Sequence, residues 1–158
     1  MHSCHIMWNR LATIQATDVG EIAAAWISPD GNQLLLLADT QTSYWNVPEG
    51  HLLWSIQEQE GSDGMSPDRR IYRDLSSGLF YPLLGRHGEK QIRRHPIGGR
   101  IQVEGKKGTL NVTGPDGTIH HLSEREVFGD WMIASFCQSG DHILAVGPRC
   151  SLVWSWSD

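Results

Sequence analysis

One stretch of this chain occurs twice, and that repeat limits the possible folds more than any other feature. Residues 25–47, AWISPDGNQLLLLADTQTSYWNV, align without a gap to residues 134–156, ASFCQSGDHILAVGPRCSLVWSW, at an offset of 109. The matched structural positions are Gly31 with Gly140, and Trp45 with Trp154. Because an internal repeat marks one supersecondary unit used more than once, we expect both stretches to form equivalent units.

Each copy predicts three short antiparallel strands. Asp30-Gly31 and Ser139-Gly140 supply the positive φ that a tight hairpin turn needs. The apolar runs at 34–37 and 143–146 are short and bounded by turn residues, which is typical of strands buried on both faces. A polar turn follows each run, and then a strand that ends in aromatic residues.

The first copy resembles a blade of the WD-repeat β-propellers. Residues 27–31, ISPDG, are similar to the first hairpin of that family's blade, and residues 44–52, YWNVPEGHL, to the turn into its fourth strand. The resemblance is clear at residues 22–56 and 131–156. Asn46 stands where the family usually has Asp. The resemblance implies an all-β fold that binds protein partners through a rigid scaffold.

The whole chain, residues 1–158, is predicted to form a single propeller-type domain. The position of Trp45 and Trp154 has weaker counterparts at residues 8, 73 and 110. The five positions have a mean spacing of about 36 residues, close to one four-stranded blade. We therefore expect a small or incomplete propeller of about four antiparallel blades, with an open twisted sheet or a β-sandwich as the alternatives. The expected blades lie roughly at 21–56, 65–83, 92–122 and 131–156, with 7–16 as closing strands that complete the C-terminal sheet.

Composition indicates a soluble globular protein, with 39% hydrophobic and 20% charged residues. The longest apolar run, 34–38, is too short to span a membrane, and the N-terminus lacks the pattern of a signal peptide. Three cysteines without a CxxC motif favour a reducing compartment. We therefore expect a cytoplasmic protein.

The sequence offers no convincing catalytic or metal-binding motif. It contains neither GxSxG nor a phosphate-binding glycine loop. Residues 2–5, HSCH, have metal-capable side chains but no second ligand cluster in the sequence. We expect no cofactor, no metal and no enzymatic activity.

The middle of the chain is basic, and its flanks are acidic. Residues 1–68 carry one Arg or Lys against nine Asp or Glu, whereas residues 69–107 carry ten against three. If folding gathers these basic residues, they form a positive patch for a protein partner. Otherwise they balance the charge of the acidic flanks of their own chain. The overall net charge of −5 argues against nucleic acid. The candidate partner-binding residues are Arg69, Arg70, Arg73, Arg86, Lys90, Arg93, Arg94 and Arg100.

Three functions stay open at this point. The first is a non-catalytic protein-interaction module that resembles WD-repeat scaffolds, with an inhibitor or immunity-type protein as its narrower form. The second is a propeller enzyme with a ligand or metal in a central channel. The third is a fragment of a larger propeller, completed by a second copy or by another subunit.

Overall fold

The chain folds into short antiparallel strands, as the sequence predicts. The computed structural model describes residues 7–59, 61, 64–85, 91–104, 109–123 and 125–157. Two one-turn helices, α1 (Ala16–Val19) and α2 (Arg125–Phe128), interrupt the strands. The strands are β1 (Met7–Gln15), β2 (Ile22–Ile27), β3 (Gln33–Ala38), β4 (Gln41–Asn46), β5 (His51–Gln57), β6 (Ile71–Arg73), β7 (Phe80–Pro82), β8 (Leu84–Gly85), β9 (Arg100–Glu104), β10 (Thr109–Thr113), β11 (Ile119–Ser123), β12 (Ile133–Phe136), β13 (His142–Val146) and β14 (Cys150–Ser157).

The strands form four open sheets, which we number in chain order. Sheet I has the strand order β5-β4-β3-β2-β8, and sheet II is the hairpin β6-β7. Sheet III has the order β11-β10-β9, and sheet IV the order β1-β14-β13-β12. Every pairing is antiparallel.

The sequence repeat is also a structural repeat. Leu34 pairs with Trp45 in sheet I, and Ile143 pairs with Trp154 in sheet IV, each 109 residues further along. Strands β2, β3 and β4 therefore correspond to β12, β13 and β14. The fourth strand of sheet IV comes from the other end of the chain, because β1 pairs with β14 where β5 pairs with β4 in sheet I. The segment 7–16, predicted as closing strands of the C-terminal sheet, forms the single strand Met7–Gln15 at this position.

A hairpin turn of one kind precedes β3, β6, β9 and β13, one strand of each sheet. Each of these four turns closes with a hydrogen bond from the N–H of its fourth residue to the carbonyl of its first, at 2.9, 3.0, 3.1 and 3.0 Å in chain order. Their fourth residues have φ values of 79°, 62°, 119° and 84°. The four turns are residues 28–31 (SPDG), 66–69 (SPDR), 95–98 (HPIG) and 137–140 (CQSG). Turns 47–50 and 114–117, which precede β5 and β11, close with the same hydrogen bond.

These turns correct the predicted alignment of the second unit. The Val47 N–H bonds the Asn32 carbonyl at 2.8 Å, and the Leu83 N–H bonds the Arg70 carbonyl at 2.7 Å in the same way. Tyr81, two residues before Leu83, therefore takes the position of Trp45. The predicted counterpart of Trp45 at residue 73 is wrong, because Arg73 lies on the first strand of the hairpin and Tyr81 on the second.

The sheets pack in the order II, I, IV, III. Strand β3 is buried on both faces: Leu34 and Leu36 pack toward sheet IV, and Leu35 and Leu37 toward the tyrosines of sheet II. Strand β13 is buried in the same manner between sheets I and III. The prediction that both apolar runs are buried on both faces is confirmed.

Sheets II and III are the ends of this stack. In the part of the chain that the structure describes, none of the three buried apolar clusters joins sheet II to sheet III. Sheet II has two strands instead of the four expected for its unit, and only the bridge between Met65 and Tyr72 extends it. The chain leaves sheet II directly after β7, and β8 pairs with the free edge of β2 in sheet I.

Truncation of a side chain in β13 should lower the free energy of unfolding far more than truncation on an outer strand. Leu144 is 1% exposed between two sheets, whereas Leu53 on edge strand β5 is 50% exposed. We expect Leu144→Ala to lower the free energy of unfolding by about 2–5 kcal/mol, and Leu53→Ala by less than about 1 kcal/mol. Urea titration followed by tryptophan fluorescence measures both, and equal losses would contradict the packing order.

Arg69 occupies a turn position that favours glycine. Its φ of 62° is the one positive value at a non-glycine residue in the described chain, whereas glycine fills the same place in the other three turns. We expect Arg69→Gly to raise the free energy of unfolding by about 0.5 kcal/mol or more. In the control, Arg70→Gly, the substitution removes no such strain, so urea titration should show no gain; a loss at Arg69→Gly equal to the control's would contradict this reading.

Candidate partner-binding surface

The basic residues predicted to bind a partner fall into two groups on the two end sheets. Three of them lie in or beside sheet II, and three lie in or beside sheet III. Arg86 and Lys90 lie outside the described residues, as does the HSCH segment at residues 2–5. The first group is Arg69, Arg70 and Arg73, and the second is Arg93, Arg94 and Arg100.

The hairpin β6–β7 turns one face to the core and the other to solvent. Tyr72 pairs with Tyr81, and both are buried against sheet I. Arg73 pairs with Phe80 at the next position. Because paired residues share a face and successive pairs alternate, Arg73 and Phe80 project away from the core.

Three large apolar side chains stand exposed on this hairpin. Leu75 is 63% exposed, Leu79 57% and Phe80 64%. The Arg73 guanidinium lies 5.5 Å from the centroid of the Phe80 ring, a cation–π contact that fixes both side chains. We call residues 69–80 the hairpin surface; it contains three arginines and one aspartate.

Hydrogen bonds hold the turn of this hairpin in one conformation. The Asp74 carboxylate accepts from the Ser76 N–H at 2.9 Å and from the Ser77 hydroxyl at 3.0 Å. The Asp74 N–H bonds the Leu79 carbonyl at 2.9 Å, and the Gly78 N–H bonds the Asp74 carbonyl at 2.7 Å. The exposed leucines therefore lie on an ordered turn, which lowers the entropy cost of binding.

A tyrosine hydroxyl ties the hairpin to sheet I. The Tyr72 hydroxyl donates to the Glu58 carboxylate at 2.9 Å, and Tyr81 packs edge-on against Trp26 at a centroid distance of 4.8 Å. Burial raises the pKa of Tyr72 well above its usual range, and the neighbouring Glu58 carboxylate raises it further. Burial likewise raises the pKa of Tyr44, in the same aromatic cluster, to about 12.

The raised tyrosine pKa values predict loss of stability in alkali. These phenols stay protonated in the folded chain at pH values where they ionise in the unfolded chain, above about pH 10. Their contribution is therefore complete below about pH 10 and is lost as the pH rises through the folded pKa values. We expect urea titrations to show a falling free energy of unfolding above about pH 10, with a shallower fall in Tyr72→Phe; equal slopes would contradict the assignment to Tyr72.

The structural positions predicted from the repeat are turn and core residues. Gly31 packs directly against the imidazole of His142, so that a side chain would not fit there. Gly140 lies against His95, and its carbonyl is 3.1 Å from the His95 Nε2. Trp154 is buried in the cluster between sheets III and IV, and Trp45 packs against the cluster between sheets I and IV.

Cys137 holds a turn together where the first copy uses a serine. The Ser28 hydroxyl donates to Asp30 at 2.7 Å, and at the matched positions the Cys137 sulfur lies 3.2 Å from the Ser139 hydroxyl. Cys150 is fully buried, so both thiols fill structural places. Among the described residues, no three His, Cys, Asp or Glu side chains are grouped so that they could hold a metal ion.

The apolar side of the hairpin surface is what sequence reasoning missed. The sequence analysis selected the arginines, whereas the structure shows that Leu75, Leu79 and Phe80 are each more than half exposed. One signal was present: residues 66–68 repeat the Ser-Pro-Asp of residues 28–30, which aligns β6 with β3. The structure places Phe80 opposite Arg73.

Comparison with known proteins adds no assignment. No protein-family model matches the chain, and a search of curated proteins gives no match either. None of the helices in the described segments has the length and apolar character needed to cross a membrane.

Proposed function

We propose that this protein is a non-catalytic interaction module that binds a protein partner through the hairpin surface. The observation that carries the proposal is the presence of three large apolar side chains, each more than half exposed, on one ordered hairpin. Exposed apolar groups clustered in this way mark interaction sites more often than isolated ones do. The arginines around them favour a partner segment that combines apolar side chains with carboxylates.

A propeller-type scaffold is part of the proposal. The four turns that precede β3, β6, β9 and β13 recur with a mean spacing of about 36 residues, near the length of one blade. Three of these turns also meet in a row, since the Ser139 N–H donates to the Pro29 carbonyl at 2.9 Å and His95 contacts the Gly140 carbonyl. Such a scaffold holds its surface loops rigid, which suits a binding module.

Completion of the stack by a second subunit is the other candidate. It is favoured by one observation, the absence in the described chain of a buried cluster between sheets II and III. A partner that covers sheet II would bind the hairpin surface and extend the stack at the same time. The two candidates therefore share a surface and differ in whether the occupant is another copy of this chain.

Selection of peptides on the purified chain tests the proposal. A phage-displayed library of random peptides is selected on the wild-type protein, and the enriched peptides are measured against two double variants. Leu79→Ser/Phe80→Ser changes the hairpin surface, and Ile97→Ser/Ile119→Ser changes residues of sheet III that are 80% and 65% exposed.

We expect enriched peptides that contain both apolar and acidic residues. Their affinity should fall by about tenfold or more in the hairpin variant, because each buried apolar side chain contributes about 1.5–3 kcal/mol, and it should be unchanged in the sheet III variant. Failure to enrich any peptide, or equal binding by the hairpin variant, would contradict the proposal. Light scattering of the wild type separates the second candidate, which requires a dimer.

A further inference from the structure

Two arginines lie directly opposite each other at the outer end of the stack. Arg94 and Arg100 form an antiparallel bridge beside sheet III, and both are exposed. The Ile101 N–H bonds the Arg93 carbonyl at 2.8 Å, and the His95 N–H bonds the Gly99 carbonyl at 3.0 Å, which fixes this register. Like charges directly across a strand pair destabilise it, so folding alone does not account for the arrangement.

Both guanidinium groups project from the same face of sheet III. Residues that pair directly share a face, and the next residue along each strand points to the other side. Ile101 is 3% exposed and packs toward sheet IV. Arg100, and Arg94 opposite it, therefore project from the outer face.

Neutral amides orient the described side chains of this face. With its oxygen oriented toward Arg100, the Gln102 amide accepts hydrogen bonds from the Arg100 Nε at 3.1 Å and Nη2 at 2.9 Å. Gln102 pairs with Asn111, whose side-chain oxygen is 2.9 Å from His121 Nδ1 on the next strand. An amide acceptor fixes a guanidinium without neutralising it, so Arg100 keeps its full charge and its remaining N–H donors.

The neighbouring acid is engaged within its own turn. The turn that contains Asp116 lies beside Gly98, where Pro115 would touch an added side chain. The Asp116 carboxylate accepts from the Thr118 N–H at 3.0 Å. Within the described residues, neither Arg94 nor Arg100 forms an ion pair with a carboxylate.

We propose that Arg94 and Arg100 together bind an oxyanion, the phosphate or carboxylate group of a ligand, between their two strands. Guanidinium groups bind such anions through paired N–H donors, and an anion between them removes their mutual repulsion. Ile97, at the tip of the connecting turn, offers an apolar contact for the body of the ligand. This site uses the opposite end sheet from the hairpin surface, so it does not rest on the proposed function.

Thermal unfolding of the full chain in different anions tests the site. Sodium phosphate, sodium succinate and sodium chloride are compared at equal ionic strength and pH, so that general screening is the same in all three. The variants are Arg94→Gln and Arg100→Gln. Arg149→Gln, which changes an exposed arginine outside both proposed binding surfaces, is the matched control.

We expect phosphate, succinate or both to raise the Tm of the wild type above its value in chloride. At ten times the dissociation constant, the anion should lower the unfolding equilibrium constant about elevenfold. The gain should disappear in both site variants and persist in Arg149→Gln. A gain with phosphate alone identifies a phosphate ligand, and a gain with succinate identifies carboxylates.

A second measurement compares the Tm values of the variants when no phosphate or succinate is present. In chloride alone, each site variant should unfold at the wild-type Tm or above it, because the variant lacks the repulsion between like charges. The proposal is overturned if no anion raises the wild-type Tm above that in chloride, or if the gain survives in both site variants. It is also overturned if both variants unfold below the wild type in chloride, since the pair would then stabilise the fold.

Discussion

Burial of two central strands on both faces is the constraint from which the rest of the structure follows. Leu34 to Leu37 in β3 and Ile143 to Val146 in β13 are at most 1% exposed, so each strand requires a sheet on either side. Sheet IV covers one face of β3, and sheet I covers one face of β13. Sheets II and III cover the two remaining faces. A stack of four sheets is thus the smallest arrangement that leaves neither apolar run exposed to water.

The covering sheets carry the two proposed binding surfaces, and they differ in chemistry. Sheet II presents apolar side chains with an arginine stacked on Phe80, which suits a protein segment. Sheet III presents a pair of arginines and a row of amide and imidazole groups, which suits an anion. The inner strands fix the positions of both surfaces, so that binding costs little rearrangement.

Local sequence predicted the two repeated units, but it did not predict the arrangement of sheets II and III at the ends of the stack. The runs at 34–37 and 143–146 predicted doubly buried strands because apolar residues between turn signals leave few other choices. The sequence analysis placed Arg73 at the position that matches Trp45, whereas the hydrogen bond of Leu83 assigns that position to Tyr81. Which sheet β8 joins, and the division of the arginines between two sheets, depend on tertiary packing that one sequence does not reveal.

Hydrogen exchange of the backbone amides tests the stacked arrangement most directly. Amides that open only on global unfolding exchange slowest, and strands covered on both faces should be among them. We predict that β3 and β13 fall together in the slowest class, whereas β6 and β7, covered on one face, exchange faster. If either β3 or β13 exchanged as fast as β7, that strand would not be buried between two sheets, and the order II, I, IV, III would be wrong.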